Sequence, residues 1–266
     1  MAMSRKSETG LKAGNKQNRM LSGLFSYTVI VVVTIIATLI AAITLGMVLR
    51  HRADVKASRN ERDSLLGIAE ALELNPTRPE VRVSQLETPD PYISAFDLEM
   101  RDINPDYTCW ISIDSTAVDY PVVRGNDNEK YLSLSFYGEK NGLGTLFMDY
   151  RCTGENVPNI IIYGHNSKQG DLFGSLRNYT DKQYLSEHPI ITMKVNDRIA
   201  EFEIFTARVT DVNDPAYFLD FSESGSFREF LERCGAPDDA VQILTLSTCV
   251  SGNDADERVI VQGALR

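Results

Sequence analysis

Ile243-Leu244-Thr245-Leu246-Ser247-Thr248-Cys249 is an apolar, partly β-branched run that ends on a thiol. A polar turn follows, Val250-Ser251-Gly252-Asn253-Asp254, and nine residues after Cys249 a second run opens as Arg258-Val259-Ile260-Val261. Both runs read as strands bounded by turn residues. Two adjacent strands joined by a loop place Cys249 and Arg258 at the same end of a sheet. A strand-end thiol facing a loop can be exposed and reactive. A permanently charged guanidinium beside it can favour the thiolate or hold a developing oxyanion.

Other runs of the same kind lie upstream. Trp110, Ile111 and Ile113 belong to a first strand; Val118, Tyr120, Val122 and Val123 alternate in a second, where Pro121 suits an edge or a bulge. Further strands are expected at 145–150, 159–163, 190–195, 199–209, 241–248 and 259–265. Helices are expected at 171–179 and 226–234. Many short strands with few helices imply a mainly β chain closed into a barrel. Ahead of the strands, Tyr92, Phe96, Met100 and Ile103 are spaced for a short helix that Pro105 ends.

The chain has three histidines, His51, His165 and His188. His51 lies beside a hydrophobic span and His188 precedes Pro189. His165 follows the apolar strand Ile160-Ile161-Ile162-Tyr163, with Gly164 giving room, so it stands at a strand end as Cys249 does. Taken singly, His165 reads as a hydrogen-bonded structural histidine. Arg258 by itself reads as a loop charge beside Asp254, Asp256 and Glu257. Of the four cysteines, Cys109, Cys152 and Cys234 read as small hydrophobes or surface thiols. No CxxC pair exists and no His has metal-ligand spacing from a Cys, so no metal and no cofactor is expected.

Composition sets the surroundings. Of 266 residues, 43% are hydrophobic and 24% charged, which excludes wholesale disorder. The net charge of −10 argues against a nucleic-acid partner. That charge is divided: residues 1–63 carry ten Lys and Arg against four Asp and Glu, while the remainder is strongly acidic. No charge interrupts the sequence between Arg19 and Arg50. Within that gap residues 24–49 form an apolar run which, as a helix, spans roughly 39 Å, enough to cross a hydrocarbon core of about 30 Å. It is longer than the core of a cleaved secretory signal, so a retained transmembrane anchor is expected. Five basic residues on each side leave its orientation undecided by charge. A short tail ahead of a first span commonly stays inside, with the large domain exported. The expected organisation is therefore a cytoplasmic tail at 1–23, the anchor at 24–49, a juxtamembrane helix and Pro-rich linker at 50–91, and an exported domain at 92–266.

Thr245-Leu246-Ser247-Thr248-Cys249, with Arg258 heading the last strand and Tyr163-Gly164-His165-Asn166 at an upstream strand end, resembles the sortase family. The form of these motifs resembles class B sortases. So do Cys109-Trp110-Ile111, Asp119-Tyr120-Pro121-Val122-Val123, Asp127-Asn128-Glu129-Lys130-Tyr131-Leu132 and the insertion near 226–234. The similarity covers roughly residues 90–266. Cys109 departs from the Gly that often precedes this Trp, and Val250 from the acidic residue some members carry after the nucleophile.

The resemblance implies a sortase-type barrel of about eight strands, with N-terminal helices and a helix in the insertion before the Cys249 strand. It implies a membrane-anchored cysteine transpeptidase on the cell-wall side of a Gram-positive bacterium. Its substrates would be secreted proteins bearing a C-terminal sorting motif (LPxTG-like or NPxTN-like). Its acceptor would be an amine of cell-wall peptide or of a pilin. Cys249 would attack the motif, His165 would act as acid and base, and Arg258 would stabilise the oxyanion. Asn128, Leu132, Tyr163, Tyr217 and Ser247 would bind substrate. A thiol of pKa about 8.5 is only about 3% ionised at pH 7, which is why the neighbours of Cys249 matter. A pilin-polymerising sortase, a cell-wall cysteine hydrolase and a non-catalytic anchored binding protein remain the alternatives.

Overall fold

The computed structural model describes residues 4–73, 93–154, 157–167, 170–249 and 257–266. The linker at 75–91, Tyr92 and the turn at 250–254 lie outside the described residues. The chain forms two units, Met1–Ala53 and Asp54–Arg266.

Helix α1 is Ser4–Glu73 and contains both the apolar run and the juxtamembrane segment. In the first unit the apolar side chains of 27–49 are exposed except for half-buried Val31, and the helix is long and apolar enough to cross a membrane. In the second unit α1 becomes part of the body. Leu65 is buried among Phe96 and Met100 of α2 (Ala95–Ile103) and Tyr107 and Trp110 of β1 (Tyr107–Ser112). The Ser94 hydroxyl caps α2 by accepting from Asp97 N at 3.1 Å.

The body is a closed eight-strand barrel. Its remaining strands are β2 (Asp119–Val123), β3 (Leu146–Met148), β4 (Asn159–Tyr163), β5 (Ile190–Val195), β6 (Arg198–Thr210), β7 (Ile243–Cys249) and β8 (Arg258–Leu265), ordered β1-β2-β3-β4-β7-β8-β6-β5 and closed by β5 on β1. The mainly β barrel and its strand number are as the sequence implies. Two pairings are parallel, β2 with β3 and β4 with β7. Central β4 is accordingly apolar through Ile160-Ile161-Ile162, and β7 is buried from Ile243 to Thr248 although it carries the hydroxyls of Thr245, Ser247 and Thr248. Alternate residues fill the barrel, including Ile160, Ile162, Leu244, Leu246, Val259 and Val261. Pro121 pairs with Trp110 across β1 but precedes the β3 ladder, which begins at Val122, so its missing N–H costs that ladder nothing.

The helix expected at 171–179 is corrected. Turns occupy its first half, a 3₁₀ helix spans Leu176–Thr180, and α3 follows at Lys182–Glu187 with Asp181 as its N-cap. Asp181 caps α3 by accepting from Gln183 N at 2.8 Å, so the regular helix begins only beyond the expected segment. The strand expected at 145–150 shortens to β3, because Asp149 turns the chain. Helix α4 (Ser226–Cys234) lies in the β6–β7 insertion as expected and packs Phe230 and Leu231 near Ile243 and Ala264.

Two polar ties join α1 to the loops near the ends of β3 and β4. Arg59 grips the buried Asp171 carboxylate through Nε at 2.8 Å and Nη2 at 3.0 Å. Glu61 Oε1 accepts from Phe136 N at 2.8 Å.

Candidate active site

The parallel register of β4 on β7 pairs Tyr163 with Ser247, and Gly164 N extends the ladder by donating to Ser247 O at 3.1 Å. His165 lies two residues beyond Tyr163, and Cys249 two beyond Ser247. On the other side of β7, the antiparallel register pairs Cys249 with Arg258. Strands β4, β7 and β8 therefore bring His165, Cys249 and Arg258 to one end of three neighbouring strands, although 93 residues of sequence separate the first from the last. Arg258 also pairs with Thr210 of β6, and its Nη1 donates to Glu257 O at 3.0 Å.

His165 is half-buried, and its Nε2 lies 2.8 Å from Leu132 O. A carbonyl only accepts, so Nε2 carries the hydrogen in this contact. Leu132 itself ends a 3₁₀ turn (Lys130–Leu132) rather than flanking a strand, and the residue is 42% exposed.

The remaining residues expected to bind substrate form one connected group. The Tyr163 hydroxyl donates to Asp149 Oδ2 at 2.9 Å, and Asn128 Nδ2 donates to the same oxygen at 3.0 Å. The Tyr163 ring stacks on Tyr217, with centroids 6.5 Å apart and planes 11° apart. Tyr217 Oη and Ser247 Oγ share a hydrogen bond of 2.8 Å. Asn128, Tyr163, Tyr217 and Ser247 are thus linked, and Leu132 meets His165 through its backbone carbonyl.

Sequence reasoning missed the residues that hold this group. Asp149 is fully buried at the end of β3. Burial pushes its carboxyl up, but the Arg151 fork, the Arg151 backbone N–H, Tyr163 and Asn128 outweigh that and leave it below the usual carboxylate range. Burial, then the adjacent Asp149 charge, pushes the Tyr163 phenol well above its ordinary value. Asn159 is also buried and donates to Ala216 O at 2.8 Å and Phe218 O at 3.0 Å, gripping the chain on both sides of Tyr217. Asp214 caps the same 3₁₀ turn (Pro215–Tyr217) from Ala216 N at 2.8 Å. The only sequence signal was a charged residue directly after a buried apolar run, which reads as a strand end.

His188 is structural: its Nδ1 lies 2.9 Å from Asp114 O and its ring packs on Tyr184 at 4.5 Å. His51 is exposed on α1. Cys109, Cys152 and Cys234 are buried free thiols. Among the described residues no cluster of His, Cys, Asp or Glu could hold a metal ion.

The chain matches the family model described as a sortase domain over residues 111–266. It is 34% identical over 181 residues to sortase B of Listeria monocytogenes, covering 63% of this chain and 74% of that protein. Its fold matches a Staphylococcus aureus sortase B–substrate complex with a TM-score of 0.66 at 22% identity, covering 82% of this chain and 98% of that one. A sortase B complexed with triglycine gives a TM-score of 0.65 at 24% identity, covering 80% and 98%. On the family model over residues 111–266 and these similarities, the chain belongs to the sortase family, as a sortase B-type cysteine transpeptidase.

Proposed function

We propose that this transpeptidase cleaves an LPxTG-like or NPxTN-like sorting motif of secreted proteins through a Cys249 thioester and transfers them to a cell-wall amine. The observation that carries this is the register: Tyr163 level with Ser247 on one side of β7, and Cys249 level with Arg258 on the other. The Cys249 thiolate attacks the carbonyl at the scissile bond, and Arg258 holds the oxyanion that forms. The carbon–nitrogen bond breaks as His165 protonates the departing amine. An incoming amine then attacks the thioester, gives its proton to His165 and releases the thiolate. Leu132 O engages Nε2, so Nδ1 is the nitrogen that exchanges protons with substrate. Asn128, Leu132, Tyr163, Tyr217 and Ser247 bind the sorting motif.

The apolar helix segment at 24–49 anchors the chain in the lipid of a Gram-positive cell membrane, with residues 1–23 in the cytoplasm and the barrel on the cell-wall side. The length and apolarity of that segment support the anchor. The substrate and triglycine complexes of related folds support a peptide substrate and an amine acceptor.

The test uses the full chain in detergent with LPxTG and NPxTN peptides, with and without triglycine, wall-peptide and pilin-derived amines, read by mass spectrometry. An amide adduct at the sorting motif and no acyl-enzyme in Cys249→Ala are expected. Acid products alone would make it a hydrolase. Transfer only to the pilin-derived amine would make it a pilin polymerase. Normal turnover by Cys249→Ala would end the reading.

A further inference from the structure

We propose that Asp149 is the positioning residue of the peptide groove: one buried carboxylate sets the placement of Asn128 and Tyr163 and, through the Tyr163 ring, of Tyr217 and Ser247. This deepens the proposed function and rests on it, because the residues so placed are those assigned there to the sorting motif.

Asp149 follows β3 directly and has no exposed surface. Its Oδ1 accepts from Arg151 N at 3.0 Å and Arg151 Nε at 2.9 Å; its Oδ2 accepts from Arg151 Nη2 at 2.8 Å, Tyr163 Oη at 2.9 Å and Asn128 Nδ2 at 3.0 Å. Five donors converge on two oxygens, which suits an ionised carboxylate because that group only accepts. An amide in its place would aim N–H groups at some of these donors. The Arg151 fork fixes the plane of the carboxylate, and charge-assisted bonds of this kind are the strong ones.

Each bond to Oδ2 removes a freedom that substrate binding would otherwise have to remove. Asn128 could present either end of its amide to the groove. With Nδ2 committed to Asp149, Oδ1 accepts from Tyr150 N at 3.1 Å and the flip is settled. Tyr163 could rotate about its ring bond. Its hydroxyl is tied to Asp149, and its ring lies between Phe147 at 5.3 Å and Tyr217 at 6.5 Å. Tyr217 in turn meets Ser247, two residues before Cys249. Side chains held this way before substrate arrives lower the ordering cost of binding. Asp149 touches neither His165 nor Arg258 through any of these bonds, so it acts on peptide binding more than on the chemical step.

The experiment measures KM and kcat of the full chain in detergent with the sorting peptide that the wild type turns over best. Cys249 alkylation by iodoacetamide is followed from pH 6 to 9 in parallel. Asp149→Asn should raise KM about tenfold, the cost of one lost buried hydrogen bond to a charged group. Its kcat should stay within about twofold, and its alkylation profile should match wild type. Tyr163→Phe removes a single bond and should raise KM about threefold. The double variant should match Asp149→Asn alone, because both cut the same tie.

An Asp149→Asn enzyme with unchanged KM, or one that loses kcat and alkylation together, overturns the proposal. Should Asp149→Asn fail to fold, Tyr163→Phe and Asn128→Ala carry the test, and unchanged KM in both overturns it. A wild-type chain that turns over no sorting peptide overturns the proposed function as well. A wild-type chain that does, beside an unaltered Asp149→Asn, overturns only the role of Asp149.

Discussion

Gly164→Ala should dislodge His165 by forcing a methyl group into a space the core already fills. Gly164 is buried between the last residue of β4 and His165, and its N–H holds the chain to Ser247 O at 3.1 Å. A Cβ built there would collide with Leu146 Cδ2 and would lie 2.8 Å from Phe173 Cδ2 and 3.0 Å from Phe173 Cγ. Leu146 and Phe173 are both fully buried in the main core, so neither can swing into solvent. Overpacking of this kind costs about 1–3 kcal/mol, and two immobile neighbours place this case near the upper end. The reduced freedom of the unfolded chain returns about 0.4–1 kcal/mol. A net loss of about 2 kcal/mol remains, which for a domain of this size lowers Tm by about 4–8 °C. The backbone at His165 must shift as well, and misplacement of a catalytic group by about 1 Å can cost 10²-fold in rate. Thermal melting of the barrel in detergent and kcat on a sorting peptide measure the two effects. Gly67→Ala is the control: Gly67 is an exposed helical glycine with open space at its Cβ, so alanine there should be neutral or stabilising. A Gly164→Ala protein that melts within 1 °C of wild type (roughly the shift of a surface change) and turns over normally would refute the reasoning.

Two further outcomes follow from the buried thiols and from Arg258. Burial pushes the Cys109 thiol up to about 12 and the Cys152 thiol up to about 11, and raises Cys234 as well. Peptide mapping after iodoacetamide treatment of the native chain at pH 8 should therefore find Cys249 modified and the other three protected until unfolding; equal labelling of all four would contradict it. Arg258→Lys keeps the charge but loses the planar fork, and should lower kcat/KM about 10²–10³-fold with Tm near wild type. Arg258→Ala within about threefold of wild-type kcat/KM, a tenth or less of that expected loss, would remove Arg258 from the mechanism.

Much of the fold was legible because its signals are local. The apolar helix segment, the strand runs and the turns between them each depend on residues within about ten positions of one another. The Cys249 and Arg258 pair was legible for the same reason: one loop joins their strands, so they must share a sheet end. His165 could be placed at a strand end, but only the parallel β4–β7 register sets it beside Cys249, and that pairing spans 84 residues. The fate of α1 was half legible. Its apolar run is long enough to cross a membrane, while the burial of Leu65 and the Arg59 grip on Asp171 depend on partners far along the chain. Asp149 shows the limit most clearly. In sequence it is one acidic residue after an apolar strand, with no pattern around it. Its meaning comes from Asn128, Arg151 and Tyr163 converging on it, and a buried charge is tolerated only where such partners assemble. Local periodicity therefore determined the elements and the ends on which reactive side chains sit. Long-range strand register and the pairing of buried polar groups, which only tertiary structure decides, determined which of those side chains meet.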